Sequence, residues 1–147
     1  MSSTALKYAY YPGCVAQGAC RELHLSTQAL TQALGIELIE LKKAACCGSG
    51  TFKEDSQLLE DTVNARNIAL AEELNLPLLT HCSTCQGVIA HVDDRLKESQ
   101  QSDPAYLDVL SRYLLSLKGL PTLRQIDTTF QLGVICKLTE DTLNTLI

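Results

Sequence analysis

Over residues 1–99 the apolar positions follow two rhythms in turn, short β-like runs and longer helical stretches. Lys7–Tyr11 is short and aromatic, with Tyr8, Tyr10 and Tyr11 spaced as core-facing strand side chains, and Pro12-Gly13 ends it. Arg21–Leu34 carries Leu23, Leu30 and Leu34 at near-helical spacing, with Gly35 as its C-cap. Ile36–Leu41 alternates apolar and acidic residues, as a partly exposed strand does. Asp55–Leu74 predicts a strong helix with Leu58, Leu59, Val63, Ile68, Leu70, Ala71 and Leu74 on its apolar face, and its acidic first turn suits the helix dipole. Leu76–Thr80 reads as a short buried strand, and Ser83 or Thr84 then caps a helix to about Glu98.

A further helix is predicted from Asp103-Pro104 to Leu117, ending at Gly119. Its stripe of Leu107, Leu110, Leu114 and Leu117 either packs on the core or forms a docking or membrane-surface face. Beyond Pro121 the pattern weakens, with one more strand expected within Phe130–Leu138. Strand–helix alternation of this kind predicts an α/β fold: a small parallel sheet with flanking helices, Rossmann-like in its βαβαβα order. Residues 1–120 are expected to form one domain. Residues 121–147 are read as an irregular C-terminal extension or the truncated start of a second half.

Composition narrows the class. The chain has 147 residues, 46% of them hydrophobic and 20% charged, which is ordinary for a globular domain with a real core. A net charge of −5 and the lack of a basic stripe argue against a nucleic-acid partner. The longest charge-free run, Leu74–Val92, is interrupted by Asn75, Pro77, Thr80, His81, Gln86 and His91, so no membrane span is expected. The first residues have no apolar core of a secretion signal, which predicts a cytoplasmic protein, with peripheral contact at the cytoplasmic membrane face as a further option. In a reducing compartment the seven cysteines are read as metal-binding or redox-active rather than as a disulfide framework, and their odd number fits such a framework poorly.

Five of those cysteines fall in order as Cys14, the adjacent Cys46-Cys47, and Cys82-x-x-Cys85. Each group follows one predicted strand, so all five lie where an open α/β sheet binds its ligands, at the carboxyl ends of the strands. Thiolates are the soft ligands of zinc, copper(I) and iron–sulfur clusters. Four sulfurs suit tetrahedral zinc or a cubane cluster; a fifth exceeds both needs, and the side-by-side pair favours two nearby irons over one zinc. Zinc binding and dithiol redox exchange through Cys82 and Cys85 stay open as alternatives. The strand-to-helix junction at Cys82–Cys85 favours thiolate. Gly48 and Gly50 permit turns that aim backbone N–H groups at sulfur, and Lys42 and Lys43 add positive charge or form a solvated surface pair.

Pro12-Gly13-Cys14, Cys46-Cys47-Gly48 and Cys82-x-x-Cys85 together resemble the cysteine-rich CCG domain. That domain occurs in the B subunit of heterodisulfide reductase and in related subunits of succinate dehydrogenase, glycolate oxidase and anaerobic glycerol-3-phosphate dehydrogenase. The resemblance covers roughly residues 7–99 and extends toward residue 120. It implies that Cys14, Cys46, Cys47, Cys82 and Cys85 ligate a noncubane [4Fe-4S] cluster. It further implies an oxidoreductase subunit that takes electrons from a flavoprotein or ferredoxin-type partner and passes them to a disulfide or a quinone. The alternatives are a non-catalytic anchor or interaction subunit of a succinate dehydrogenase-like complex, or a zinc-binding module. Members of the family carry two such motifs, whereas this sequence carries one.

The remaining candidates are weaker. Cys20 and Cys136 are expected to be free or packed thiols. His81 precedes Cys82 and is read either as a sulfur-bonding or proton-relaying group or as a structural one; His24 and His91 are expected at the surface or satisfied in the core. No P-loop, GxGxxG or Ser/His/Asp set is present, so no side-chain general acid is assigned.

Overall fold

A computed structural model of the chain describes residues 6–49, 51–103, 105, 106, 108–110, 112 and 132–134. The elements run β1 (Lys7–Tyr10), α1 (Gly13–Gln17), α2 (Arg21–Ala33), β2 (Glu37–Glu40), α3 (Thr51–Asp55), α4 (Gln57–Glu73), β3 (Leu78–Thr80), α5 (Ser83–Ser102) and β4 (Leu132–Val134). The four strands form one sheet in the order β2-β1-β3-β4, every neighbouring pair parallel, as the α/β reading requires. From β1 the chain crosses to β2 on one side; from β3 it crosses to β4 on the other. The order therefore reverses between β1 and β3, which is where such sheets open a crevice for ligands.

Strand alternation divides the core into two layers. Ala9, Tyr11 and Leu78 face α4 and α5, packing with Ala65, Ile68, Ala71, Ile89, Val92 and Leu96. Tyr10 and Leu79 face the other way, with Ile36, Leu34 and Leu38, toward α2. Ile68, Leu78, Ile89, Val92 and Leu96 are fully buried, each burial contributing about 1.5–3 kcal/mol relative to exposure. Leu110 is buried in the thicker layer, and the residues described between 105 and 112 are helical, with the Tyr106 N–H donating to Asp103 Oδ1 at 3.1 Å. Leu107, Leu114, Leu117 and Cys136 lie outside the described residues, as does most of the span 121–147; of that span β4 alone is described, within the strand expected at Phe130–Leu138.

The helices depart from the expected pattern in three places. The stretch predicted as one helix from Asp55 breaks at Ser56, whose extended backbone and side chain cap α4 by accepting from the Leu59 N–H. Cys82 itself, not Ser83 or Thr84, occupies the N-cap position of α5, and that helix runs four residues past Glu98 to Ser102. In α2 the residues facing inward are Thr27 and Thr31, while Leu23 and Leu30 stay 40% exposed. α2 and α4 end alike: Leu34 and Leu74 are the C-caps, Gly35 and Asn75 follow with positive φ, and the next N–H reaches back to Thr31 or Ala71.

Candidate metal centre

Three connections carry the five cysteines to the β1/β3 crevice. Cys14 is placed within α1 rather than in a loop, directly beyond β1 and exposed. Cys46 and Cys47 sit in the loop after β2, the first exposed and the second 1% exposed. Cys82 begins α5 and Cys85 lies in its first turn, 4% exposed. Four of the sulfurs meet as two pairs: Cys46 Sγ lies 3.4 Å from Cys14 Sγ, and Cys47 Sγ lies 3.4 Å from Cys85 Sγ. Among the described residues no three His, Cys, Asp or Glu side chains are grouped around a point suited to one metal ion.

Two glycines make room for this approach. Gly13 has φ +75°, and a Cβ there would sit 3.1 Å from Cys85 Sγ. Gly48 has φ +84°, and a Cβ there would lie 2.2 Å from the Phe52 ring. The turn at Gly48 aims its N–H at Cys46 Sγ, 3.5 Å away. Gly50 lies outside the described residues; Ser49, at φ +46°, takes the second left-handed position of this turn.

The loop carrying Cys46-Cys47 is clamped by Tyr11 and by two α4 asparagines that periodicity did not single out. Asn67 accepts from the Ala45 N–H at 2.9 Å and donates to the Ala45 carbonyl at 3.1 Å. Asn64 donates to the Cys47 carbonyl at 3.0 Å, and the Tyr11 hydroxyl donates to the Ala45 carbonyl at 2.7 Å. Asn64 and Asn67 are fully buried on α4, so their amides satisfy loop backbone groups that water does not reach. Glu60 and Asp61, also buried, bind Arg95 of α5, and the Tyr106 hydroxyl donates to Asp61 Oδ2 at 2.6 Å. The inward face of α4 is thus partly polar, whereas Leu59 and Leu74, expected on it, are 39% and 40% exposed.

The pairs differ in protonation. The hydrogen bond with Cys85 holds the Cys47 thiol down to about 6, helped by the Ser49 N–H and opposed by burial. That same bond, with burial and the neighbouring Cys82, pushes Cys85 up, so the shared proton stays on Cys85. In the outer pair the Gly48 N–H favours Cys46 thiolate, but burial and Cys14 outweigh it and the net shift is upward. Tyr11 is pushed far above its usual range by burial first and then by the fields of Cys47, Cys85, Cys46 and Cys14.

His81 makes no bond to sulfur among those described. Its Nδ1 lies 2.9 Å from the Tyr10 hydroxyl and 3.3 Å from Thr27 Oγ1, on the α2 side of the sheet. Burial, then the charge of His24, lowers its pKa. His24 stacks on Tyr10 and bonds to the same hydroxyl at 3.1 Å, and His91 is exposed. Lys42 and Lys43 are both exposed at the start of the cysteine loop, and Cys20 is half-buried at the N-cap of α2.

The family profile of the CCG cysteine-rich domain matches residues 8–90, from β1 into α5. The chain belongs to the CCG cysteine-rich domain family. Within that family it is 44% identical over 79 residues to the 8-methylmenaquinol:fumarate reductase membrane anchor subunit of Wolinella succinogenes, a match covering 54% of this chain and 28% of the relative. It is 26% identical over 121 residues to the B subunit of the ferredoxin/F(420)H(2)-dependent CoB-CoM heterodisulfide reductase of Methanosarcina acetivorans, covering 82% of this chain and 40% of the relative. A heterodisulfide reductase B-subunit-like protein of Archaeoglobus profundus is 35% identical over 83 residues, 56% of this chain and 28% of the relative. This CCG chain therefore spans well under half the length of the curated relatives it matches. The donor set suits the iron–sulfur chemistry of the family resemblance: five soft thiols, one held as thiolate, with backbone N–H groups turned toward sulfur.

Proposed function

We propose that this CCG domain is an iron–sulfur redox module of a multi-subunit reductase, holding its cluster through Cys14, Cys46, Cys47, Cys82 and Cys85. The observation that supports this reading is the formation of two sulfur–sulfur contacts, Cys14–Cys46 and Cys47–Cys85, between the connections that follow β1, β2 and β3, beside the point where the strand order reverses. Bound there, an iron–sulfur cluster supplies one-electron transfer, with a potential tuned by nearby N–H donors and solvent access. The chain's own residues shape the site: Gly13 admits Cys85, Gly48 turns the loop, and Asn64, Asn67 and Tyr11 hold the backbone that carries the adjacent pair. The proposed cluster is a noncubane [4Fe-4S] centre using all five thiols. The proposed partners are a flavoprotein or ferredoxin-type subunit as donor and a disulfide or quinone as acceptor, with the complex in the cytoplasm or at the cytoplasmic membrane face.

The fumarate reductase anchor subunit favours a second reading, in which the domain docks a reductase to the membrane through other chains. Among the described residues no helix is long and apolar enough to cross a membrane. Replacing Cys47 with Ser tests the ligand set: five-thiol binding predicts an altered EPR signal or loss of iron, and an unchanged spectrum would leave a four-thiol cubane. Dithiol exchange through Cys82 and Cys85 is excluded if the Cys85→Ser protein keeps its full disulfide-reducing activity.

A further inference from the structure

The face of the sheet opposite Cys47 and Cys85 carries a second polar cluster at the carboxyl ends of β1 and β3. Tyr10 ends β1, His81 follows β3, and His24 and Thr27 reach them from α2. The hydrogen positions in this cluster follow from counting donors. Thr27 has one hydroxyl hydrogen, and its shortest bond is the 2.8 Å donation to the Leu23 carbonyl. With that hydrogen committed, the Thr27 oxygen is left to accept from His81, 3.3 Å away, which assigns the His81 hydrogen to Nδ1, 2.9 Å from the Tyr10 oxygen. Tyr10 then donates its single hydrogen to His24 Nδ1 at 3.1 Å. The reverse arrangement would set a Thr27 lone pair against a His81 lone pair. It would also leave an N–H on His81 Nε2, a buried atom with no hydrogen-bond partner among the described groups. An orphaned acceptor is the lesser cost.

We propose that His81 is a positioning residue for Cys82: Tyr10 and Thr27 hold it as the Nδ1–H tautomer, and these bonds fix from behind the sheet the backbone step that delivers Cys82 to the crevice. The backbone of Cys82 is held locally, its N–H by Thr80 Oγ1 at 3.3 Å and its carbonyl by the Gln86 N–H at 2.9 Å, and its side chain makes no capping bond to α5. Both restraints lie on the same short stretch of chain. The bonds that His81 Nδ1–H donates to Tyr10 and Thr27 add a tie from the adjacent residue to β1 and α2. This inference rests on Cys82 belonging to the site, but it does not depend on which metal group the site takes.

The test uses the full chain with four readouts: histidine tautomers from long-range proton–nitrogen correlation, site-resolved alkylation of Cys82 in the thiol-reduced protein, bound iron, and EPR. An Asn side chain places its N–H where His Nδ1 is, and Gln places its amide near Nε2. The tautomer expected is Nδ1–H for His81 and Nε2–H for His24. His81→Asn keeps the wild-type alkylation rate and EPR line shape, whereas His81→Gln and Tyr10→Phe raise Cys82 alkylation about fivefold, the effect of one lost hydrogen bond. An Nε2–H tautomer at His81, or a Gln variant that matches wild type while the Asn variant does not, overturns the proposal. If the chain binds no iron, the cluster reading fails while the tautomer and alkylation results still decide this one.

Discussion

Cys47 and Cys85 are buried at 1% and 4% exposure, Cys14 is exposed with Cys46, and yet each pair brings its sulfurs to the same 3.4 Å. The inner pair is set into the thicker core layer against α4 and α5, and burial there makes its single shared proton matter: one thiol is held as thiolate and the other as thiol. The outer pair lies beside Pro12, Gly13 and Gln17, in a shallow cleft that also takes in Tyr11 and Ala45. The inner sulfurs are thus fixed by the fold, and the outer ones are open to solvent. The loop between β2 and α3 joins the two environments, because Cys46 and Cys47 are adjacent and point to different ones.

Changing that loop has the largest expected effect on both pairs. Gly48→Ala forces a Cβ into the Phe52 ring at a left-handed φ, at a cost of about 1–3 kcal/mol for backbone strain alone. Denaturant unfolding should show this loss together with faster alkylation of both Cys46 and Cys47. Adding Phe52→Ala relieves the overlap but not the strain, so the double variant should recover only part of the loss. Asn67→Ala comes next. It leaves the Ala45 N–H without its 2.9 Å partner and should cost about 1–3 kcal/mol, loosening the loop without touching any sulfur.

Single-thiol changes separate the pairs more finely. Removing the inner donor by Cys85→Ala should let the Cys47 thiol rise from about 6 toward its ordinary 9.0, read from thiolate ultraviolet absorbance in the metal-free protein. The folded chain favours Cys47 thiolate below the unfolded value, so this contribution is complete above 9.0 and is lost as pH falls through about 6. Wild-type metal-free protein should therefore gain stability across that window, and Cys85→Ala should flatten the gain. The smallest expected effect has the opposite direction: Cys14→Ala removes two influences that raise Cys46, so alkylation of Cys46 should set in at lower pH.

How far each region could be read from sequence follows the same division. β1, β2 and β3 are legible from their short β-like patterns, the first closed by Pro12-Gly13, the second alternating and the third a compact apolar run, and the placement of the cysteines after the strands follows from them. The strand order that places Cys14 beside Cys82–Cys85 is not, since periodicity carries no information about which strands pair. α4 misleads for a physical reason. Asn64 and Asn67 count as polar in any reading of the pattern, yet they are buried because loop backbone groups satisfy them. Two asparagines three residues apart on a helix face expected to be apolar are the signal that existed, and only the folded loop gives it meaning. Ser56 likewise breaks a continuous helical pattern through one local bond to Leu59. In α2, Thr27 and Thr31 turn inward because each hydroxyl bonds a carbonyl of its own helix one turn back, which lowers a burial cost that the leucine spacing does not reveal.

Anaerobic purification of the full chain, followed by visible absorption, iron and sulfide analysis and EPR, tests the central claim most directly. A cluster held by five thiols predicts a coloured protein with iron and inorganic sulfide in near-equal amounts and an EPR signal that changes in Cys47→Ser. A colourless protein carrying stoichiometric zinc and no iron would contradict it.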